Sequence, residues 1–185
     1  MDVIRLRLNE FCSLITDAEK QTVRSIIARD EAPFPADPED GKQRTYGPTE
    51  LLAWALYTQL RNMGIPAKFA AEVIRINHIV DQVFKAFERG DDLADLFLVV
   101  DRHEKRGASG EARSIWGVSL QPSGGMIEIL TQGAASFGTK NLLGETRLGL
   151  SGATIVPIKP CFERTEAALD AAGFLMNGQH LHEKE

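Results

Sequence analysis

Apolar residues recur along this chain with two different periods, and the change from one to the other divides it. Up to about residue 90 they return every three or four positions; beyond it they alternate. Residues 3–8 come first, with Ile4, Leu6 and Leu8 on one side and Arg5 and Arg7 on the other, which suits either a short strand or a helical start. Leu8, Phe11, Cys12 and Ile15 then fall at helical spacing, and Thr16-Asp17 supplies a capping signal for the next helix. Over residues 18–29 the apolar set is Val23, Ile26 and Ile27. Glu19, Lys20, Thr22, Arg24, Ser25 and Arg29 occupy the other faces.

A basic strip, Lys42-Gln43-Arg44-Thr45-Tyr46, leads into Gly47-Pro48-Thr49-Glu50. Pro48 suits the first turn of a helix, and Leu51, Leu52, Ala55, Leu56 and Leu60 form its apolar stripe until Gly64 ends it. Pro66 opens another helix. Its stripe of Phe69, Val73, Ile76, Ile79, Val80, Val83, Phe84 and Phe87 predicts one long helix, with no glycine before Gly90. Such a stripe is either buried against a second domain or paired with its copy in another subunit.

After Gly90-Asp91-Asp92 the alternating period predicts strands at residues 96–100, 113–121 and 126–131, the last two joined by a hairpin connection at Pro122-Ser123-Gly124-Gly125. A further strand pair, 147–150 and 153–158, is joined at Ser151-Gly152. Residues 163–172 return to helix, stopped by Gly173, and the tail from Asn177 is expected to fray.

The formal charge of −5 argues against nucleic-acid binding by bulk attraction, so any such contact must come from a local patch. Residues 1–90 hold twelve Lys and Arg against thirteen acids, which leaves −4 for the remainder. The first half is near neutral with its basic residues clustered. Cys12 and Cys161 stand far apart in apolar settings, which is neither a disulfide framework nor a metal-ligand cluster. The sequence holds no signal-peptide pattern and no apolar run of membrane-spanning length, and a reducing cytoplasm suits the free thiols.

The order of features over residues 4–75 resembles the winged-helix domain of the MerR family of transcriptional regulators. A short helix over 8–14 and a helix over 18–29 are followed by a proline-rich and acidic stretch at 34–43. Next come the Arg44-Thr45-Tyr46 strip and a helix pair hinged at Gly64-Ile65. The resemblance implies that 18–29 is a recognition helix for the major groove and 34–46 a wing on the DNA backbone. It also implies that Arg44 contacts phosphate and that the helix after the pair dimerises. Lys20, Gln21, Arg24 and Ser25 are side chains of the types that read base edges, although a charged helix face is most often simply solvated. Lys42, Arg44 and Tyr46 supply the strip, Tyr46 chiefly by packing; Arg61 and Lys68 flank the Gly64 turn, beside a helix N-terminus.

The second half offers no convincing active site. Gly107-Ala108-Ser109-Gly110 lacks the lysine of a phosphate loop, and residues 133–144 lack dinucleotide spacing. His103-Glu104 beside Asp101 offers acid–base or metal-binding groups, but in a charged run between strands they read as a solvated turn; His180 and His182, two apart, offer at most an adventitious metal pair in the tail, and His78 reads as a core-edge residue. The expectation is therefore an α+β chain: a winged helix-turn-helix domain at 1–75, a linking and dimerising helix at 76–90, a mainly antiparallel β domain with a terminal helix at 91–176, and a tail at 177–185. Its expected function is that of a homodimeric, sequence-specific binder of double-stranded DNA that regulates transcription. It is not expected to be an enzyme, to hold a cofactor or metal, or to enter a membrane. The β-rich half is left to bind an unknown ligand or protein. The alternative is a winged-helix protein-interaction module that does not bind DNA.

Overall fold

The structure, a computed structural model, describes residues 5–15, 19–35, 44–106, 111–135 and 146–183. Among these the chain is mixed α+β and falls into two compact units, one made of Met1–Leu93 with Ile158–Glu185 and the other of Ala94–Pro157.

The first unit is mainly helical: α1 (Leu8–Leu14), α2 (Lys20–Ala28), α3 (Pro48–Asn62), α4 (Ala67–Ile76) and α5 (Ile79–Glu88). In α3, Pro48 opens the first turn and the Glu50 carboxylate accepts the Gly47 N–H at 2.8 Å, so an orphan donor at the helix start is satisfied. Leu52, Leu56 and Leu60 are fully buried along one stripe. Around α3 sits an aromatic cluster. Phe11 of α1 stacks on Tyr46 at 4.5 Å and 25°, and meets Trp54 edge-on at 6.1 Å.

The long helix expected beyond Pro66 is two helices. Asn77 turns its side-chain amide back onto the Val73 carbonyl at 2.9 Å, and His78 takes a left-handed conformation (φ 50°), which His tolerates better than a branched residue would. Ile76, expected in the stripe, is thereby left exposed.

The terminal helix α7 (Ile158–Ala171) belongs to this helical unit and not to the β-rich one, because Ile158, Cys161, Phe162, Thr165 and Leu169 give it a continuous buried face. Phe162 packs on Phe84 and Phe87 of α5. The stripe assigned to dimerisation is thus covered, at least at its C-terminal end, by the chain's own last helix. The tail expected to fray is a hairpin, β4 (Phe174–Asn177) paired antiparallel with β5 (His180–Glu183). Gly178 turns it at φ 57°, where the Glu88 carboxylate lies 3.0 Å from the position a Cβ would take, and Leu181 is fully buried.

The second unit is a three-stranded antiparallel sheet in the order β2-β1-β3, formed by β1 (Leu96–Arg106), β2 (Ala112–Pro122) and β3 (Thr146–Pro157), with helix α6 (Ser123–Ala135) packed on all three strands. Leu98, Val99 and Val100 of the central strand are fully buried. Three expectations change here. The segment 122–125 is not a hairpin turn and 126–131 is not a strand: Asp95 accepts the Ser123 N–H at 3.2 Å and so caps α6, which resolves in favour of helix a short apolar run whose period is ambiguous. Ser151-Gly152 joins no two strands, because β3 is continuous and absorbs the extra residue as a bulge between Gly152 and Leu150. Asp101 and His103 lie within β1, not in a turn.

Candidate nucleic-acid interface

The recognition candidate begins at Lys20, with Glu19 at its N-cap position; Thr16-Asp17 lie outside the described residues. Val23 and Ile26 are buried, so the helix's opposite side is turned out. Gln21, Thr22 and Arg24 are exposed, while Lys20 and Ser25 are half-buried. Position 24 neighbours both 20 and 21 on the helix surface, four and three residues apart. Ser25 differs from its neighbours: its hydroxyl donates to the Gln21 carbonyl at 2.9 Å, spending its one proton inside the helix. Burial pushes the Cys12 thiol of α1 up, opposed by the charges of Lys20 and Arg24.

Arg44 is folded inward. Its guanidinium carbon lies 4.5 Å from the Phe34 ring centroid and 5.6 Å from that of Tyr46, and Nη1 donates to the Pro35 carbonyl. The residue thus fastens the strip to the loop that leaves α2, keeping part of its surface open. Tyr46 is 2% exposed and exchanges backbone hydrogen bonds with Leu6 at 2.8 and 2.9 Å, forming an isolated antiparallel bridge. Residues 5–7 are consequently neither a full strand nor a helix; the chain pairs at Leu6 and becomes helical at Leu8.

Arg61 and Lys68 are both exposed on either side of the Gly64 turn, where Arg61 Nη1 donates to the Ile65 carbonyl at 3.0 Å. Lys20, Gln21 and Arg24 thus lie on α2, Arg44 packs on Tyr46 in the strip, and Arg61 and Lys68 flank the Gly64 turn. Lys42 and residues 36–43 of the expected wing lie outside the described residues.

Two contacts were not anticipated from the sequence. Arg75 of α4 bridges Asp30, just past the end of α2, at 2.6 Å, with side-chain exposures of 20% and 68%. Asp30 has φ 53° just past the helix end, a left-handed conformation that Asp tolerates. The ion pair ties the end of α2 to the helix pair. In the second unit, His103 Nε2 lies 2.5 Å from the buried Asp101 carboxylate, both on one face of the central strand by their spacing of two. Such a carboxylate fixes the orientation of the imidazole. The Asp-x-His spacing within an alternating run would have revealed it.

No family model matches the chain, and no curated protein sequence matches it. Among the described residues no three His, Cys, Asp or Glu side chains gather as a metal-binding group, and no helix is long and apolar enough to cross a membrane.

Proposed function

We propose that the chain is a sequence-specific, double-stranded DNA-binding transcriptional regulator that acts as a homodimer, with α2 as its recognition helix in a MerR-like winged helix-turn-helix. The observation that carries this reading is α2 itself: Val23 and Ile26 anchor one side, leaving Lys20, Gln21 and Arg24 on a neighbouring turn-to-turn face. Support also comes from the Leu6–Tyr46 bridge, which fixes the basic strip beside α1, and from the helix pair that turns at Gly64. In this reading Lys20, Gln21 and Arg24 meet base edges, with Ser25 at their border. Arg44, Lys42, Arg61 and Lys68 meet phosphates, and Tyr46 supports the strip by packing.

The winged-helix protein-interaction module is kept as the second reading because Arg44 spends much of its guanidinium on Phe34, Tyr46 and the Pro35 carbonyl, and because the chain carries a net charge of −5. Fluorescence-anisotropy titration of the full chain against duplex fragments, at several salt concentrations, separates the two. Binding that weakens linearly in log–log form with salt supports the regulator; absence of duplex binding at low salt overturns it.

A further inference from the structure

The homodimer proposed above requires an interface, and the apolar stripe that the sequence assigns to it is covered at its C-terminal end by Phe162 of the same chain, which packs on Phe84 and Phe87. The second unit offers another surface. Its two outer strands differ: β3 is broken by register shifts at Arg102/His103 and Glu104/Lys105, whereas β2 pairs with β1 in unbroken register from Ala112 to Pro122. Bulges, charges and prolines are what keep sheet edges from pairing. β3 carries bulges. β2 has no charged side chain from Ser114 to Gln121 and a proline only at its last position. Ile115 and Trp116, on opposite faces of that strand, are each 41% exposed. Among the described residues β2 has β1 as its only strand partner.

We propose that two copies of this chain pair through β2, antiparallel about a two-fold axis at Gly117, so that two three-stranded sheets become one continuous six-stranded sheet. A second copy is the occupant that the strand's own sequence fits. A two-fold axis normal to the sheet keeps each residue on its face, so a residue can oppose only one of the same parity. The axis at Gly117 is the register in which all eleven residues of β2 take part, Ala112 opposite Pro122 of the other copy. It sets Trp116 against Val118 on one face and Ile115 against Ser119 on the other, covering both exposed apolar side chains. Like charges meet nowhere in this register, since Arg113 falls opposite Gln121. At the axis Gly117 presents no side chain, and none would fit there beside Asp101.

The inference rests on the homodimer of the proposed function, and it is tested without DNA. Analytical ultracentrifugation of the full chain over a dilution series is compared with Ile115→Lys, Trp116→Lys and, as a control on α6, Ile127→Lys, whose parent residue is 60% exposed. The expected result is a wild-type dimer that either β2 lysine weakens at least tenfold and the α6 lysine leaves unchanged. A monomer at every concentration, or a dimer indifferent to both β2 lysines, overturns the proposal. Because a lysine variant can fail by unfolding, a mixture of Ile115→Cys and Ser119→Cys chains is also oxidised. A covalent heterodimer in excess of that formed by Ile127→Cys with Ser119→Cys is expected, and equal yields refute the pairing. A monomer that binds duplex DNA would defeat this interface and the homodimer but leave the DNA reading standing; a β2-paired dimer that binds none would defeat the DNA reading alone.

Discussion

The ring of Phe162, from the last helix, lies 4.9 Å from that of Phe87 at the end of α5. The contact spans 75 residues of sequence and brings the C-terminal segment back to the helical unit. Phe162 is almost fully buried and also meets Phe84 at 5.8 Å. Phe162→Ala is expected to cost about 3–5 kcal/mol, as large aromatic truncations in a core do. Urea unfolding checks it, and a loss below about 1 kcal/mol would show that the last helix is not part of that core.

Arg44 has a structural part to play whatever the chain binds. Arg44→Ala removes its packing over Phe34 and Tyr46 and its hydrogen bond to the Pro35 carbonyl, with an expected loss of about 1–2 kcal/mol. Arg44→Lys should restore little of this, because an ammonium lacks the planar face that stacks. Thermal melts of the three proteins test it; equal melting temperatures would contradict the inward role.

Gly117 lies under the Asp101 carboxylate, and a Cβ built there would come within 2.5 Å of Oδ1. Gly117→Ala is therefore expected to destabilise by about 1–3 kcal/mol, as overpacking does. Combining it with Asp101→Ala should cost less than the two single changes together. Strict additivity in that cycle would refute the close approach.

Burial pushes the Cys161 thiol up to about 11. An unfolded thiol ionises near pH 8.5, so between those values the folded chain holds a proton that the unfolded chain has released. Stability accordingly falls as pH rises through this window. Cys161→Ala, whatever it costs below pH 8, should flatten that fall, and identical pH slopes for the two proteins would contradict it. Cys12, less buried and flanked by Lys20 and Arg24, should react faster with an alkylating reagent at pH 8.

Local signals carried much of the helical half. Pro48, Gly64 and the leucine stripe of α3 act within a few residues of one another, so their outcome could be read directly. The break at His78 could not, because an Asn side chain competing for a helix carbonyl leaves no mark on an apolar stripe. The helical state of α6 leaves no local mark either, because Asp95, which caps it, stands 28 residues away. Of the candidate interface, the composition of α2 was legible, whereas the partners of its surroundings were not. Asp30 meets Arg75, and Arg44 lies over Phe34, only through the fold, between positions 45 and 10 residues apart in sequence.

Arg24 is an exposed base-reading candidate of α2, whereas Arg44 is folded onto Phe34 and Tyr46. The measurement that tests the account most directly is therefore an anisotropy titration of wild type and Arg24→Ala against a pool of duplex fragments at rising salt. The account predicts salt-dependent, selective binding by wild type, with selectivity relaxed and affinity reduced by about 1–3 kcal/mol in a variant that melts like wild type. Equal binding by both proteins, or a flat response to salt, would contradict it.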